Sequence, residues 1–321
     1  MRVISTLQSF GIILVVLGHS NPGTTQPVIA AGLHKYIYSF HMPLFMAISG
    51  FLFTYHGGVR GTYTKFIKKK AVRLLIPYFI ISSIAFMPKV LLSKYAMRPI
   101  ELSFVSFMHN LFYPLDNVII FFWFLPTIFL IFLVSPILDP KNTATSLRVA
   151  VITGALIACH LYNPLSEARM LNLSGVCSYL IFFWVGCLVA RNWNSLEGFF
   201  TGRLLLSVLF AATIILNIIN PQLKVVYFLI ALSGILMSFC LCQQYTKYGF
   251  KFIDFIAGYS YQIYLLSWFP QIFLSVVGLQ ILSLNFYVVA TCMFIGGLFI
   301  PIVMLKLVNE RNRFYRSILG L

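Results

Sequence analysis

From Val118 to Leu138 the chain runs through twenty-one residues without one charged side chain. That length suits a helix crossing a hydrocarbon core, which takes about 17–25 residues. Comparable runs recur along the whole sequence. Charged residues are only 9% of the 321 positions and apolar residues 60%, whereas a soluble domain carries about 25% charged residues. The sequence therefore predicts an all-α, polytopic membrane protein with a single domain over residues 1–321. A net charge of +16 is of the sign a nucleic-acid partner needs, but the basic residues sit between the apolar runs. There they serve to orient the chain in a bilayer, and no nucleic acid is needed. The cysteines (Cys159, Cys177, Cys187, Cys240, Cys242 and Cys292) fall in or beside apolar runs. They read as small packing residues, not as a disulfide framework or a metal site.

Ten spans are expected: Val3–His19, Ile37–Tyr55, Leu74–Leu92, Val118–Leu138, Leu147–Leu161, Val176–Ala190, Leu204–Ile219, Val225–Cys242, Phe255–Val277 and Leu282–Leu305. The fifth and sixth are short, so nine or eleven would also fit. Arg2 alone precedes the first run and no cleavage site follows it, which predicts a retained helix and not a signal peptide. With the N-terminus inside, seventeen basic residues fall in cytoplasmic segments, among them Arg60, Lys65, Lys68, Lys69, Lys70, Arg73, Lys141, Lys247, Arg311, Arg313 and Arg316. Six fall outside: Lys35, Lys89, Lys94, Arg98, Arg169 and Lys224. This positive-inside bias predicts a plasma-membrane protein with both termini cytoplasmic.

The same topology sorts the histidines. His19, His34, His41, His109 and His160 lie at or beyond outer span ends, and His56 lies inside. His34, His56 and His160 read as interface residues. His19 and His41 differ, because they come from adjacent antiparallel spans at one membrane level and flank what reads as one short loop. Polar groups in an apolar span need a partner or a task, so this pair is the expected working centre. Gln8 and His19 lie eleven residues apart, close to three helical turns, and share a face with Ser5. Ile12 and Val15 lie between them. The stripe is either glue between helices or the lining of a narrow path.

In the second span, Pro43 lacks an N–H and disfavours helix at Met42, so the helix begins or kinks beside His41. Ala47, Ser49 and Gly50 then offer a small-residue surface to a neighbouring helix. The segment Lys65-Phe66-Ile67-Lys68-Lys69-Lys70-Ala71-Val72-Arg73 has two readings. It is an anchor on anionic lipid, the simpler of the two, or a cytoplasmic clamp for a phosphorylated cofactor.

Several segments together resemble the membrane-bound acyltransferase family 3, whose members O-acetylate cell-surface glycans. They are Gly11 to Ser20 with Gly18-His19-Ser20, Phe40-His41-Met42-Pro43-Leu44-Phe45, Ile48-Ser49-Gly50-Phe51-Leu52 and Arg73-Leu74-Leu75-Ile76-Pro77-Tyr78. Weaker echoes are Phe122-Trp123-Phe124-Leu125-Pro126 and Gly258-Tyr259-Ser260-Tyr261-Gln262-Ile263-Tyr264-Leu265-Leu266. The histidine-methionine-proline form is similar to the branch that includes fucose O-acetylases. The resemblance implies a bundle of about ten transmembrane helices and acetyl-CoA as donor, reached from the cytoplasm. It also implies a glycan or lipid-linked sugar as acceptor, and a donor site of Gln8, Lys68, Lys69, Lys70 and Arg73. Gln8 stands where many members carry a basic residue, and Ser267 where many carry histidine. His19 and His41 remain for proton transfer, and imidazole suits the removal of a hydroxyl proton near neutral pH. Glu101, Asp116 and Glu167 are the acidic residues placed to orient a histidine. A transporter or flippase is the alternative class, suggested by the proline-broken spans, and a non-catalytic assembly factor is a third.

Overall fold

The computed structural model describes residues 2–23, 26–95, 99–139, 145–219, 223–246, 248–249 and 251–307. Every regular element among them is helical. Arg98, Lys141, Lys247, Arg311, Arg313 and Arg316 of the charge count lie outside the described residues.

α1 (Arg2–His19) packs against α2 (Val28–Tyr38), α3 (His41–Tyr55), α11 (Lys224–Thr246), α12 (Lys251–Ala257), α13 (Ser260–Leu266) and α15 (Phe286–Leu307). Between α3 and α11 come α4 (Tyr63–Leu91), α5 (Phe104–Phe112), α6 (Phe124–Val134) and α7 (Ser146–Tyr162), then α8 (Leu173–Arg191), α9 (Trp193–Leu196) and α10 (Arg203–Ile219). α14 (Trp268–Ser275) continues from α13 and ends in a π-turn at Val276–Ile281.

Seven of the described helical segments are long and apolar enough to cross a membrane. Two bent helix pairs bring the number to nine if each is one span: Trp193–Thr201 with Arg203–Ile219 is bent by 85°, and Ser260–Leu266 with Trp268–Ile281 by 44°. The described residues thus hold seven to nine candidate spans where ten were expected, and α7 is the shorter apolar helix at the fifth expected place. The chain is an all-α polytopic membrane protein.

The tightest packing joins α3 to α8. A side-chain carbon on Gly50 would strike the carbonyl of Phe183, and one on Gly186 would strike the carbonyl of Ala47. Cys187 Sγ reaches the Gly50 carbonyl at 3.4 Å. Lipid tails are as apolar as the side chains, so close backbone approach and dispersion hold such a pair. The expected small-residue surface is thus real at Ala47 and Gly50. Ser49 stands apart from it and bonds its own helix at the Phe45 carbonyl, 2.9 Å away.

α3 starts at His41, with Pro43 in its first turn, where a missing N–H costs no helical bond. The expected short loop between His19 and His41 is instead largely α2, an eleven-residue helix. The break between α2 and α3 is held from two sides. Asn217 of α10 donates to Ser39 Oγ at 3.1 Å, and the Phe40 ring fills the notch left by Gly234 of α11.

Candidate active site

The C-terminal end of α1 carries His19 and is pinned by side chains. Ser20 Oγ donates to the Val16 carbonyl at 2.6 Å, and buried Gln271 of α14 donates to that carbonyl at 3.0 Å and to Ser20 Oγ at 3.1 Å. Carbonyls at a helix end have no intrahelical partner, so these bonds fix the last turn. Gly18 leaves room beside it. A side-chain carbon there would come within 2.9 Å of the Tyr38 ring.

Tyr38 occupies that room and joins the histidines. Its hydroxyl lies 2.9 Å from His19 Nδ1 and 3.3 Å from Nε2. Its ring packs at a tilt against His34, 3.9 Å between centroids, and lies 4.8 Å from that of His41. His41 is buried, and its Nδ1 sits 2.9 Å from the Ile37 carbonyl. A carbonyl only accepts, so Nδ1 carries the proton and Nε2 the lone pair. The two histidines expected to meet do so through Tyr38, and His34, read from sequence as an interface residue, belongs to the same cluster.

An aromatic wall closes the other side of His19. The Phe121 ring stands 4.6 Å from the imidazole. Tyr264 of α13 donates to the Phe121 carbonyl at 2.6 Å and lies against both Phe121 and Phe122. Asn117 and Asn110 hold the approach to this segment: Asn117 Nδ2 donates to Ser82 Oγ at 2.9 Å, and Asn110 Oδ1 accepts from the Val118 N–H at 2.8 Å. The weaker sequence echoes therefore mark the wall of the site.

The basic segment lies elsewhere. It forms the first turns of α4, at the end of the bundle opposite His41, about 22 Å away along α3 at 1.5 Å per residue. Lys68, Lys69 and Arg73 are exposed there. The Arg73 guanidinium lies over the Tyr261 ring at 5.5 Å, and Tyr261 donates to the Arg73 carbonyl at 2.5 Å. Lys70 turns inward instead, its ammonium 3.7 Å from the centroid of Phe132. Three of the four cations can meet a phosphate, whereas Lys70 is engaged by aromatic rings.

Other expected roles change on inspection. Gln8 is half-buried in α1, but Ile12 and Val15 are fully enclosed, so that face of α1 offers no continuous polar path to His19. Ser5 bonds the Arg2 carbonyl. Asp116 orients His109, at 3.1 Å, and pairs with Arg169 at 3.2 Å, and so is spent on neither His19 nor His41. His160 bonds the Ser178 carbonyl and His56 the Leu52 carbonyl, which fits their structural reading. Ser267 is buried at the bend between α13 and α14, with no hydrogen-bond partner for its hydroxyl among the described residues. Tyr38 was not legible as a site residue, because tyrosine beside an apolar run is common at membrane interfaces.

The apolar bundle thus carries imidazoles clustered at one end and exposed cations at the other. Residues 3–306 match the family-3 acyltransferase model, described as an acyltransferase domain. The chain belongs to that family and is a membrane acyltransferase. No curated protein and no solved structure gives a match.

Proposed function

We propose that this acyltransferase moves an acetyl group from acetyl-CoA to a hydroxyl of a cell-surface or exopolysaccharide sugar, as in the fucose O-acetylase-like branch. The observation that carries the reading is the meeting of His19 and His41 around Tyr38, one helix length from the exposed Lys68, Lys69 and Arg73. These three cations bind the donor's phosphates at the cytoplasmic end. The pantetheine arm then reaches toward the histidines, near the outer face.

His19 is the general base, since it is only half-buried and can reach an incoming hydroxyl, whereas His41 is enclosed. As the sugar oxygen bonds the acyl carbon, its proton moves to His19. The carbon–sulfur bond then breaks, and the departing thiolate takes the proton back from His19. His41 steadies the ring of Tyr38 and the acceptor beside it. The positive-inside bias of the basic residues supports a plasma-membrane protein with both termini in the cytoplasm.

The test is incubation of membranes carrying the enzyme with [14C]acetyl-CoA and their own glycan. Label in the glycan supports the reading, and label that never leaves the donor overturns it. A single cysteine at Arg60, in an otherwise cysteine-free chain, should react only from the cytoplasmic side.

A further inference from the structure

We infer that the Ser267 hydroxyl donates a hydrogen bond to the carbonyl oxygen of the donor thioester, an inference that rests on the reading of the donor as acetyl-CoA. A buried hydroxyl costs free energy unless it is paired, and this chain pairs its own with care. Of the eight buried serines among the described residues, seven have a partner. Ser9 donates to the Ile253 carbonyl, Ser20 to the Val16 carbonyl, and Ser82 accepts from Asn117. Ser267 is 1% exposed, and its oxygen has no partner among the described residues. A helical serine commonly bonds the carbonyl four residues back, as Ser20 and Ser238 do. At Ser267 that carbonyl, of Ile263, is met by the backbone N–H at 2.9 Å, and the hydroxyl stays apart from it.

Its neighbours on the helix show which way Ser267 faces. Tyr264 stands three residues before it and Gln271 four after, so at 3.6 residues per turn the three lie within about 60° of arc. Backbone bonds from Ser267 to Ile263 and from Gln271 to Ser267 carry the helical turn through the 44° bend. Tyr264 reaches the Phe121 carbonyl, whose ring is 4.6 Å from His19. Gln271 reaches Val16 and Ser20, on either side of His19 in α1. Ser267 lies between these contacts, while the opposite side of the helix opens outward at Phe269 and Phe273. The same helix also joins the two ends of the proposed site, since Tyr261 bonds the Arg73 carbonyl.

The chemistry gives such a hydroxyl a task. As the sugar oxygen bonds the acyl carbon, negative charge gathers on the carbonyl oxygen. A donor already aimed there stabilises charge that the ground state lacks, and an apolar surrounding increases its effect. The Ser267 proton stays on its own oxygen throughout. When the carbon–sulfur bond breaks, the carbonyl reforms and its charge leaves with the thiolate. A hydroxyl with no earlier partner gives up no bond in taking this one.

The test uses the purified full chain in nanodiscs of glycan-free lipid, loaded with acetyl-CoA carrying 13C at the acetyl carbonyl. In the wild type the isotope-edited carbonyl stretch of the bound thioester should lie below that of free acetyl-CoA. In Ser267→Ala it should move back up. A stretch unshifted in the wild type, or unmoved by Ser267→Ala, overturns the inference. In the glycan-labelling assay Ser267→Ala should lower kcat at least about tenfold, toward the 10²–10³ that loss of one oxyanion donor costs, with the KM for acetyl-CoA unchanged. A smaller loss overturns the inference. Because the hydroxyl is unpaired in the free enzyme, Ser267→Ala should also keep or raise the melting temperature. A variant that is destabilised or fails to fold marks Ser267 as a packing residue and overturns the inference as well. A wild type that binds no acetyl-CoA defeats the donor assignment and this inference with it. Wild-type labelling with an undiminished Ser267→Ala defeats the inference alone.

Discussion

The histidine end and the basic end of the bundle are built on opposite plans. Around His19, position is fixed by α2, the turn before α6, α13 and α14, through Tyr38, Phe121, Tyr264 and Gln271. At the basic end, Lys68 and Lys69 project from one helical turn, and Arg73 rests on a single ring. Proton transfer tolerates little displacement, because the base must stand within hydrogen-bond reach of the proton it takes. Capture of a polyanion needs only charge of the right sign nearby, since Coulomb attraction falls slowly with distance. On the proposed reading, geometry is concentrated where bonds change, and few contacts hold the charges that would meet the donor.

The sharpest way to break this contrast is at the base. His19→Ala should lower kcat by 10²–10⁴, the usual range for a general base, with little change in the KM for acetyl-CoA. His41→Ala should cost less. Retention of more than about a tenth of wild-type turnover in His19→Ala moves the base to His41, whose Nε2 already holds a lone pair.

A smaller effect is expected from Gly18→Ala. The added methyl meets a Tyr38 ring held between His34 and His41, so the hydroxyl must shift off His19. Turnover should fall roughly tenfold, as for loss of one hydrogen bond, with donor binding intact. A fully active Gly18→Ala enzyme would show the histidine end to be looser than described.

The smallest effects belong to the basic end. Replacing Lys68, Lys69 and Arg73 together by glutamine should raise the KM for acetyl-CoA several-fold and leave kcat alone, and added salt should mimic it in the wild type. Lys70→Met should leave that KM unchanged and cost about 1 kcal/mol of stability through the lost ring contact. If Lys70→Met alone raises the KM, the inward-turned ammonium belongs to the donor site after all.

Much of the fold could be read from the chain because bilayer thickness sets the length of every span. The start of α3 at His41 and its small-residue contact face followed from Pro43, Ala47 and Gly50, whose effects are local. α2 was not legible, since its eleven residues are too few for a span and it lies next to Pro22 and Pro27, which read as a loop. The bend at 193–219 falls at Gly202 and that at 260–281 just before Pro270, so their places were marked in the sequence, whereas their angles come from packing. The direction of Lys70 depends on where Phe132 sits, and no spacing within α4 supplies that. The histidine pair was visible as residues, but Tyr38 became a partner only when Gly18 and the Phe40 notch brought it to α1.

The wall formed by Phe121 and Tyr264 has a consequence for how the molecule is made. His19, Tyr38 and His41 all leave the ribosome within the first forty-one residues, whereas Tyr264 follows more than two hundred residues later. Chains are built from the N-terminus and fold as they emerge. The imidazoles can therefore meet long before the side chain that bonds the Phe121 carbonyl exists. Only the nearly finished chain completes the aromatic wall beside His19, so an abandoned fragment carries the histidines without it.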